Sequence, residues 1–312
     1  IRSLRADGLG VIYISHFLEE IREIAERYTV LRDGRSVGSG ILKEVSERDL
    51  VRLMVDRDVA DLFPSVPHHP GEVLLKIDGL SGLRSPRKVS LDIRRGEILG
   101  ITGLVGAGRT ELLRCLFGLD EVKRGTVTIG TLQPRATPQA RIRAGLGFVS
   151  EDRKGEGLAQ VRSIADNMTY SRLAPYSRGG WLGLGQRRRN VQQWMDRLRV
   201  KARSPEQAVA ELSGGNQQKV ALGRVLHQDA DILLLDEPTR GIDVGTKAEI
   251  YRLIGELAAA GKSVIFVSSY FTELLSVCDR VAVMSRGRLQ EVRPAGQWNE
   301  EQILSCAMSG TD

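Results

Sequence analysis

Short unbroken apolar runs, each ending in glycine, serine or a carboxylate, are the main pattern along the chain. Ile98-Leu99-Gly100-Ile101-Thr102 runs into a glycine-rich stretch, Ile232-Leu233-Leu234-Leu235 ends at Asp236-Glu237, and Val264-Ile265-Phe266-Val267 ends at two serines. Unbroken runs of this length suit parallel strands buried on both faces. The runs Val73 to Ile77 and Val89 to Ile93 instead alternate, which predicts an antiparallel sheet. Helical patterns follow at Glu111 to Phe117, Ile164 to Leu173 and Val191 to Leu198, with a further short helix-like segment at Glu47 to Asp61. The class is α/β.

An internal repeat organises these elements. Residues 4–35 align without a gap to residues 257–288, and eleven of the 32 positions are identical, among them Gly8/Gly261, Val11/Val264, Ser15/Ser268, Glu20/Glu273 and Arg27/Arg280. Each copy reads as strand (Val11 to Ile14; Val264 to Val267), helix, strand and Gly-Arg turn. The chain is therefore expected to start near the end of one domain and continue through another, an expectation that its opening at Ile1 rather than Met supports. Residues 1–62 are assigned to the first domain, 63–72 to a linker carrying Pro64, Pro67 and Pro70, and 73–312 to the second. His68-His69 invites a metal reading, but adjacent residues on an extended linker point apart and no third ligand is near. Solvated side chains are expected there.

Composition changes this picture little. Hydrophobic residues make up 41% and charged residues 27% of the 312, and the formal net charge is +6. A basic balance admits nucleic acid or an anionic membrane surface as partner, but Arg is dispersed and Arg187-Arg188-Arg189 is the one run of three, so a solvated basic face is expected. Cys115, Cys278 and Cys306 are odd in number and far apart, which points to a reducing compartment rather than a disulfide framework. No stretch approaches the 18 apolar residues of a membrane span. Trp181 and Trp194 are expected in the core.

Candidate chemistry begins at the loop Gly103-Leu104-Val105-Gly106-Ala107-Gly108-Arg109-Thr110, between a strand and a helix. This is the setting of a P-loop: glycines let backbone N–H groups curl around phosphate, and the helix dipole favours the anion. Thr110 stands where a hydroxyl ligates Mg²⁺. Arg109 stands where the pattern wants Lys, and its planar fork copies an ammonium point charge poorly. Taken alone, the turn could be a tight strand–helix connection. Asp236 and Glu237, at the carboxyl end of a buried strand, lie where α/β sheets bind ligands. Asp236 suits the Mg²⁺ side and Glu237 the polarising of an attacking water.

Leu212-Ser213-Gly214-Gly215-Asn216-Gln217-Gln218-Lys219 is more specific. A serine capping a helix that begins near Asn216, with glycine N–H groups beside it, makes a second anion site. At this string the sequence resembles the ATP-binding cassette family, whose signature precedes the aliphatic strand and its carboxylates. The resemblance implies a P-loop NTPase fold with a RecA-like core, an antiparallel β subdomain and a helical subdomain over about 159–215. It also implies ATP and Mg²⁺ as ligands, with Gly103, Gly106, Ala107, Gly108, Arg109, Thr110 and Glu111 at nucleotide. Ser213, Gly214, Gly215 and Gln218 would touch nucleotide held by a partner domain. Asp243 and Ser269 complete the nucleotide set, and Glu151 joins Thr110 and Asp236 as a metal-side residue. Within the family, the strings at 103–112, 150–154, 212–219 and 236–245 are similar to the second half of tandem ATP-binding subunits of bacterial monosaccharide importers.

Departures from the family pattern shape the expected mechanism. Arg109 replaces the P-loop Lys, Glu151 replaces a Gln, and Ser269 fills the switch-histidine position that His16 fills in the first copy. No Phe, Trp or Tyr lies between Val73 and Gly100 to stack on adenine. These changes imply an asymmetric pair: a hydrolytic site using His16 and the turn Ser213 to Gln218, and a slower site at Arg109 and Glu237. The resemblance further implies membrane permease subunits, a first cassette or a second copy, and indirectly a periplasmic sugar-binding protein as partners. It places the protein at the cytoplasmic face of the bacterial inner membrane, with no nucleic acid. Two other functions compete with this one: a non-transport cassette ATPase on ribosomes or DNA, and a nucleotide-binding regulatory module. A generic P-loop kinase has no use for the 212–219 string.

Overall fold

The apolar runs at 98–103, 232–236 and 263–267 lie side by side as neighbouring parallel strands. This arrangement comes from a computed structural model that describes residues 1–15, 18–32, 34–55 and 62–309. Residues 1–64 with 242–252 form one unit, and residues 65–241 with 253–312 the other.

In the first unit, helices α1 (Arg2–Ala6) and α2 (Leu18–Ile24) precede an antiparallel hairpin of β1 (Arg27–Arg32) and β2 (Arg35–Ile41), then α3 (Glu47–Val55). Val30, Leu42 and Leu50 form its small core, with Ile21, Tyr28 and Leu53 packed around them. Phe63 stacks on Tyr251 with ring centroids 5.2 Å apart. Residues 11–14 are not a strand, contrary to the repeat, and Ile12 and Ile14 are 94% and 91% exposed. The physical reason is the missing neighbours. A parallel strand needs strands on its flanks to take its N–H and C=O groups. Val264–Val267 has them at 98–103 and 232–236, whereas no such copies accompany residues 11–14 among the described residues.

The second unit opens with β3 (Val73–Gly82) and β4 (Val89–Arg94). They are followed by β5 (Ile98–Gly103), α4 (Arg109–Phe117), β6 (Val122–Ile129), α5 (Pro138–Arg143) and β7 (Leu146–Val149). A largely helical segment comes next: α6 (Ile164–Thr169), the hairpin of β8 (Ser177–Arg178) and β9 (Trp181–Leu182), α7 (Leu184–Arg197) and α8 (Gly214–His227). The chain then runs through β10 (Ile232–Asp236), α9 (Val244–Ala259), β11 (Ser263–Val267), α10 (Phe271–Val277), β12 (Arg280–Ser285), β13 (Arg288–Pro294) and α11 (Glu300–Met308).

Six strands form the main sheet in the order β13-β12-β5-β11-β10-β7, parallel except for β13. Strands β3, β4 and β6 form the antiparallel sheet that the alternating runs predict. A continuous core joins both sheets to the inner face of α4 through Leu75, Ile93, Ile101, Leu112, Leu116 and Leu234. The register aligns Asp236 with Val267 and Val267 with Ile101. The carboxyl ends of β5, β10 and β11 therefore open at one level, and the loops beyond them share one rim.

Several local expectations change. α7 begins at Leu184, seven residues before the expected Val191, because Gly179 and Gly180 (φ +57° and +83°) turn the β8–β9 hairpin. Trp181 sits on that hairpin 83% exposed, not in the core, while Trp194 is half-buried with Arg197 over its ring. Arg187, expected with its neighbours on a solvated face, is buried; its guanidinium bonds Thr169 Oγ1 and Asp166. His68, expected in water, bonds the Val66 carbonyl through Nδ1 and Asp279 through Nε2 at 3.1 Å. The proline-rich segment from residue 65 on is thus fastened to the second unit rather than free.

Candidate nucleotide site

The glycine-rich loop follows from steric limits at its ends. A Cβ on Gly103 would stand 2.3 Å from the Met284 carbonyl oxygen, and Gly108 holds φ +94° with Ser85 Oγ and the Gly287 backbone where its Cβ would go. Between them Ala107 is pinned, its N–H donating to Leu104 O and its carbonyl accepting from Gly287 N–H. Val105 and Gly106 face solvent, so the turn lies open. α4 starts at Arg109, two residues ahead of the expected Glu111, and its first helical bond runs from Leu112 N–H to Gly108 O. The N–H groups of Arg109, Thr110 and Glu111 come before that bond and point out of the helix start, which is what an anion site requires.

Behind the loop stand the carboxylates of Asp236, the last residue of β10, and of Glu237 just past it. Asp236 is fully buried, and neither carboxylate oxygen reaches a hydrogen-bond partner among the described residues. Burial pushes its carboxyl up, opposed by the Thr110 hydroxyl and then by the Arg109 charge. A buried carboxylate with both oxygens unspent, beside a hydroxyl at a phosphate loop, fits the donor set for one hard cation. Among the described residues no three His, Cys, Asp or Glu side chains gather to hold a metal by themselves. A cation here would draw its remaining oxygens from phosphate or water.

Glu237 has a left-handed backbone (φ +45°), held by its N–H donating to Val267 O. Its Oε1 lies 3.5 Å from Arg109 Nη1, with side-chain exposures of 8% and 13%. Burial raises the Glu237 carboxyl; the Arg109 charge and the hydroxyl and N–H of Ser269 hold it down. Ser269, at the position matching His16, is thus one of the groups that favour the ionised form of Glu237. His16 itself lies outside the described residues.

A cleft of about 560 Å³ adjoins Thr110, lined also by Arg114, Ser150, Glu151, Arg153, Glu156 and Arg240. Glu151, expected on the metal side, is committed to an ion pair with Arg240. Arg114, reaching from α4, bonds Asp120 and Glu156.

The 212–219 string forms the start of α8. The helix begins at Gly214 rather than near Asn216, with Ser213 in the cap position, yet the Ser213 hydroxyl makes no bond to the backbone of its own helix and accepts from Asn216 Nδ2 at 2.9 Å. Ser213 is exposed, and Gly214 half-exposed. Gln218, expected at nucleotide, is 2% exposed, in contrast to the exposed Ser213. Asp243 caps α9, its two carboxylate oxygens accepting from the Thr246 N–H and hydroxyl. Arg153, Arg240 and Arg114 are not marked as individuals by any pattern in the sequence. The string 150–154 stands out, but nothing in it says that Arg153 reaches a residue 61 positions away.

Residues 86–240 match the family described as ABC transporter. The chain is 46% identical over 308 residues to the ribose import ATP-binding protein RbsA 3 of Rubrobacter xylanophilus, covering 98% of this chain and 62% of that protein. It is 43% identical to the ribose import ATP-binding protein RbsA 1 of Streptomyces avermitilis, over 99% of this chain and 59% of that one. The chain thus spans about three-fifths of the length of these relatives. Among solved structures, the ATP-binding cassette MJ0796 in a dimeric post-hydrolysis state bound to ADP and Pi superposes with a TM-score of 0.62 at 23% identity, over 71% of this chain and 99% of that one. MJ1267, an ATP-binding cassette of an ABC transporter, gives 0.60 at 19%, over 75% and 94%.

The fold is that of a P-loop NTPase cassette. Residues 86–240 thus carry the ABC transporter family match, and nearly the whole chain is similar to import ATP-binding proteins.

Proposed function

We propose that this chain is part of an ATP-hydrolysing subunit that energises sugar import, and that its two phosphate-binding surfaces belong to two different composite sites. The observation that carries the first half is Asp236, buried with both oxygens unspent, beside Thr110 at the mouth of the glycine loop. Gly103, Gly106, Ala107 and Gly108 would present backbone to the β- and γ-phosphates, and Arg109 would add charge. Thr110 and Asp236 would hold Mg²⁺, which when bound neutralises phosphate charge. Relatives named for ribose import supply the sugar class.

The second half rests on Arg109 and Glu237. To polarise water, a carboxylate must keep an oxygen for it. Here burial, Arg109 and Ser269 engage Glu237 from several sides, so this site would bind nucleotide and turn it over slowly. The outward turn at Ser213 and Gly214 would serve the other site, with phosphate held by a partner P-loop and His16 near the γ-phosphate. The partners are then a first cassette or a second copy, membrane permease subunits, and through them a periplasmic sugar-binding protein. No helix among the described residues is long and apolar enough to cross a membrane, and we place the chain against the permease at the cytoplasmic face of the inner membrane.

The test is nucleotide binding and turnover by the purified chain. Binding of Mg·ATP with only slow hydrolysis is expected. Fast hydrolysis that Glu237→Gln abolishes would overturn the asymmetry, and no binding at all would overturn the nucleotide site.

A further inference from the structure

Arg153 lies in neither phosphate-binding turn, yet it touches the backbone of both α8 and the loop after β10. Its Nη1 donates to Gly214 O at 2.8 Å, and its Nη2 donates to Arg240 O at 3.2 Å. The two acceptors belong to the first residue of α8 and to the turn that follows Asp236-Glu237. Both neighbouring positions are bare: a Cβ on Gly214 would stand 3.5 Å from Arg153 Nη1, and one on Gly241 would stand 3.4 Å from Nη2. These are ordinary contact distances, so the guanidinium lies directly against both turns.

The segment that carries Arg153 is itself anchored on two sides. Arg224 of α8 donates to the carbonyls of Gly157 and Phe148. Arg114 of α4 holds Glu156, whose other oxygen accepts from Ser150 Oγ. The Asp152 carboxylate accepts from Gly155 N–H, tightening the turn around Arg153. Glu151, two residues earlier, pairs with the side chain of Arg240. The 151–153 segment therefore grips the 240–241 turn by side chain and by backbone, and grips α8 by backbone at its first residue.

We infer that Arg153 is a positioning residue for hydrolysis, setting the start of α8 against the 240–241 turn and so fixing where the Ser213-Gly214 turn presents its donors. This rests on the proposed function, in which that turn completes a partner's phosphate site. Arg153 does not touch nucleotide in this scheme. A rigid fork spanning two carbonyls is something Lys, a single point donor, cannot reproduce. Misplacing donors by a fraction of an ångström to one ångström costs rate rather than substrate binding.

The experiment compares wild type, Arg153→Ala and Arg153→Lys in the assembled transporter, measuring kcat and KM for ATP and amide hydrogen exchange. Arg153→Ala is expected to lower kcat about tenfold or more with KM held within about twofold, and Arg153→Lys to fall between it and wild type. Exchange at 213–218 and 240–242 should quicken while strand 98–103 stays protected. Unchanged kcat, or a general loss of protection with kcat and KM moving together, would overturn the assignment. Gly214→Asp runs alongside. If it too leaves turnover intact, the composite-site reading has failed; if it silences turnover while the Arg153 variants do not, the positioning role alone has failed.

Discussion

Arg109 Nη1 lies 3.5 Å from Glu237 Oε1, so the cation of the phosphate loop and the carboxylate placed to activate water form a mostly buried ion pair. Lys would put its charge at one point; the guanidinium fork has room to engage phosphate and Glu237 together. Glu237 thus sits under the influence of two departures that look separate in the sequence, Arg109 and Ser269. With Ser269 also drawing the Glu237 carboxyl down against its burial, the base is influenced by both neighbours.

That pairing is measurable by a double-mutant cycle with Arg109→Met and Glu237→Gln. Each single variant leaves a buried charge without its partner, and the double variant leaves neither. A coupling energy on the order of 1–3 kcal/mol in urea unfolding is expected. A coupling near zero would mean that the two charges are independent.

The glycines of the loop differ in why they are glycine. Gly106 needs only its positive φ (+79°), with open space around a Cβ, whereas Gly103 also has the Met284 carbonyl in the way. Gly106→Ala should cost about 1–2 kcal/mol and Gly103→Ala about 2–4 kcal/mol, read from denaturation midpoints. Equal costs would contradict the steric difference between the two positions.

Asp236 trades stability for a cation site. Its folded pKa is raised above the ordinary 3.8 by burial, so the folded state keeps the proton longer than the unfolded one. Stability is then lost as pH rises from about 3.8 through the folded value, and the full cost stands at neutral pH. Asp236→Asn should raise the thermal midpoint at pH 7 without nucleotide, and the gap to wild type should close toward pH 4. The same variant should lose most of the stabilisation that Mg·ATP gives wild type. A lower midpoint at pH 7 would contradict the cost assigned to the buried charge.

His227 provides the acid limb. Burial, with the Arg172 and Arg187 charges, lowers its pKa from 6.5 to about 4, and Tyr176 Oη pairs with its Nε2 at 2.6 Å. The unfolded chain takes up the proton first, so stability present above pH 6.5 drains as pH falls toward about 4. His227→Leu should flatten that slope in thermal unfolding even if it lowers the plateau. An unchanged slope would place the acid sensitivity elsewhere.

Much of the second unit is legible in the sequence because its signals are local. Ile232 to Leu235 suits only a strand buried on both faces, and the loop at 103–110 carries its glycines where a turn must open to phosphate. Long-range consequences are not legible. Residues 11–14 have the composition of a strand, but strands form by pairing, and the partners that Val264–Val267 enjoys have no counterpart beside the first copy among the described residues. Trp181 looks like core by residue type, yet Gly179-Gly180 puts it on a hairpin. The Glu151–Arg240 pair and the reach of Arg153 depend on two loops meeting at the sheet rim, which no local pattern encodes.

The most direct test of the asymmetric pair sets Gly214→Asp against Arg109→Ala in the assembled transporter, with ATP turnover as the readout. Gly214→Asp, which puts a carboxylate where the outward turn should meet phosphate, is expected to cut turnover about 100-fold or more, and Arg109→Ala to leave it within about threefold of wild type. Turnover that survives Gly214→Asp and collapses in Arg109→Ala would contradict the account.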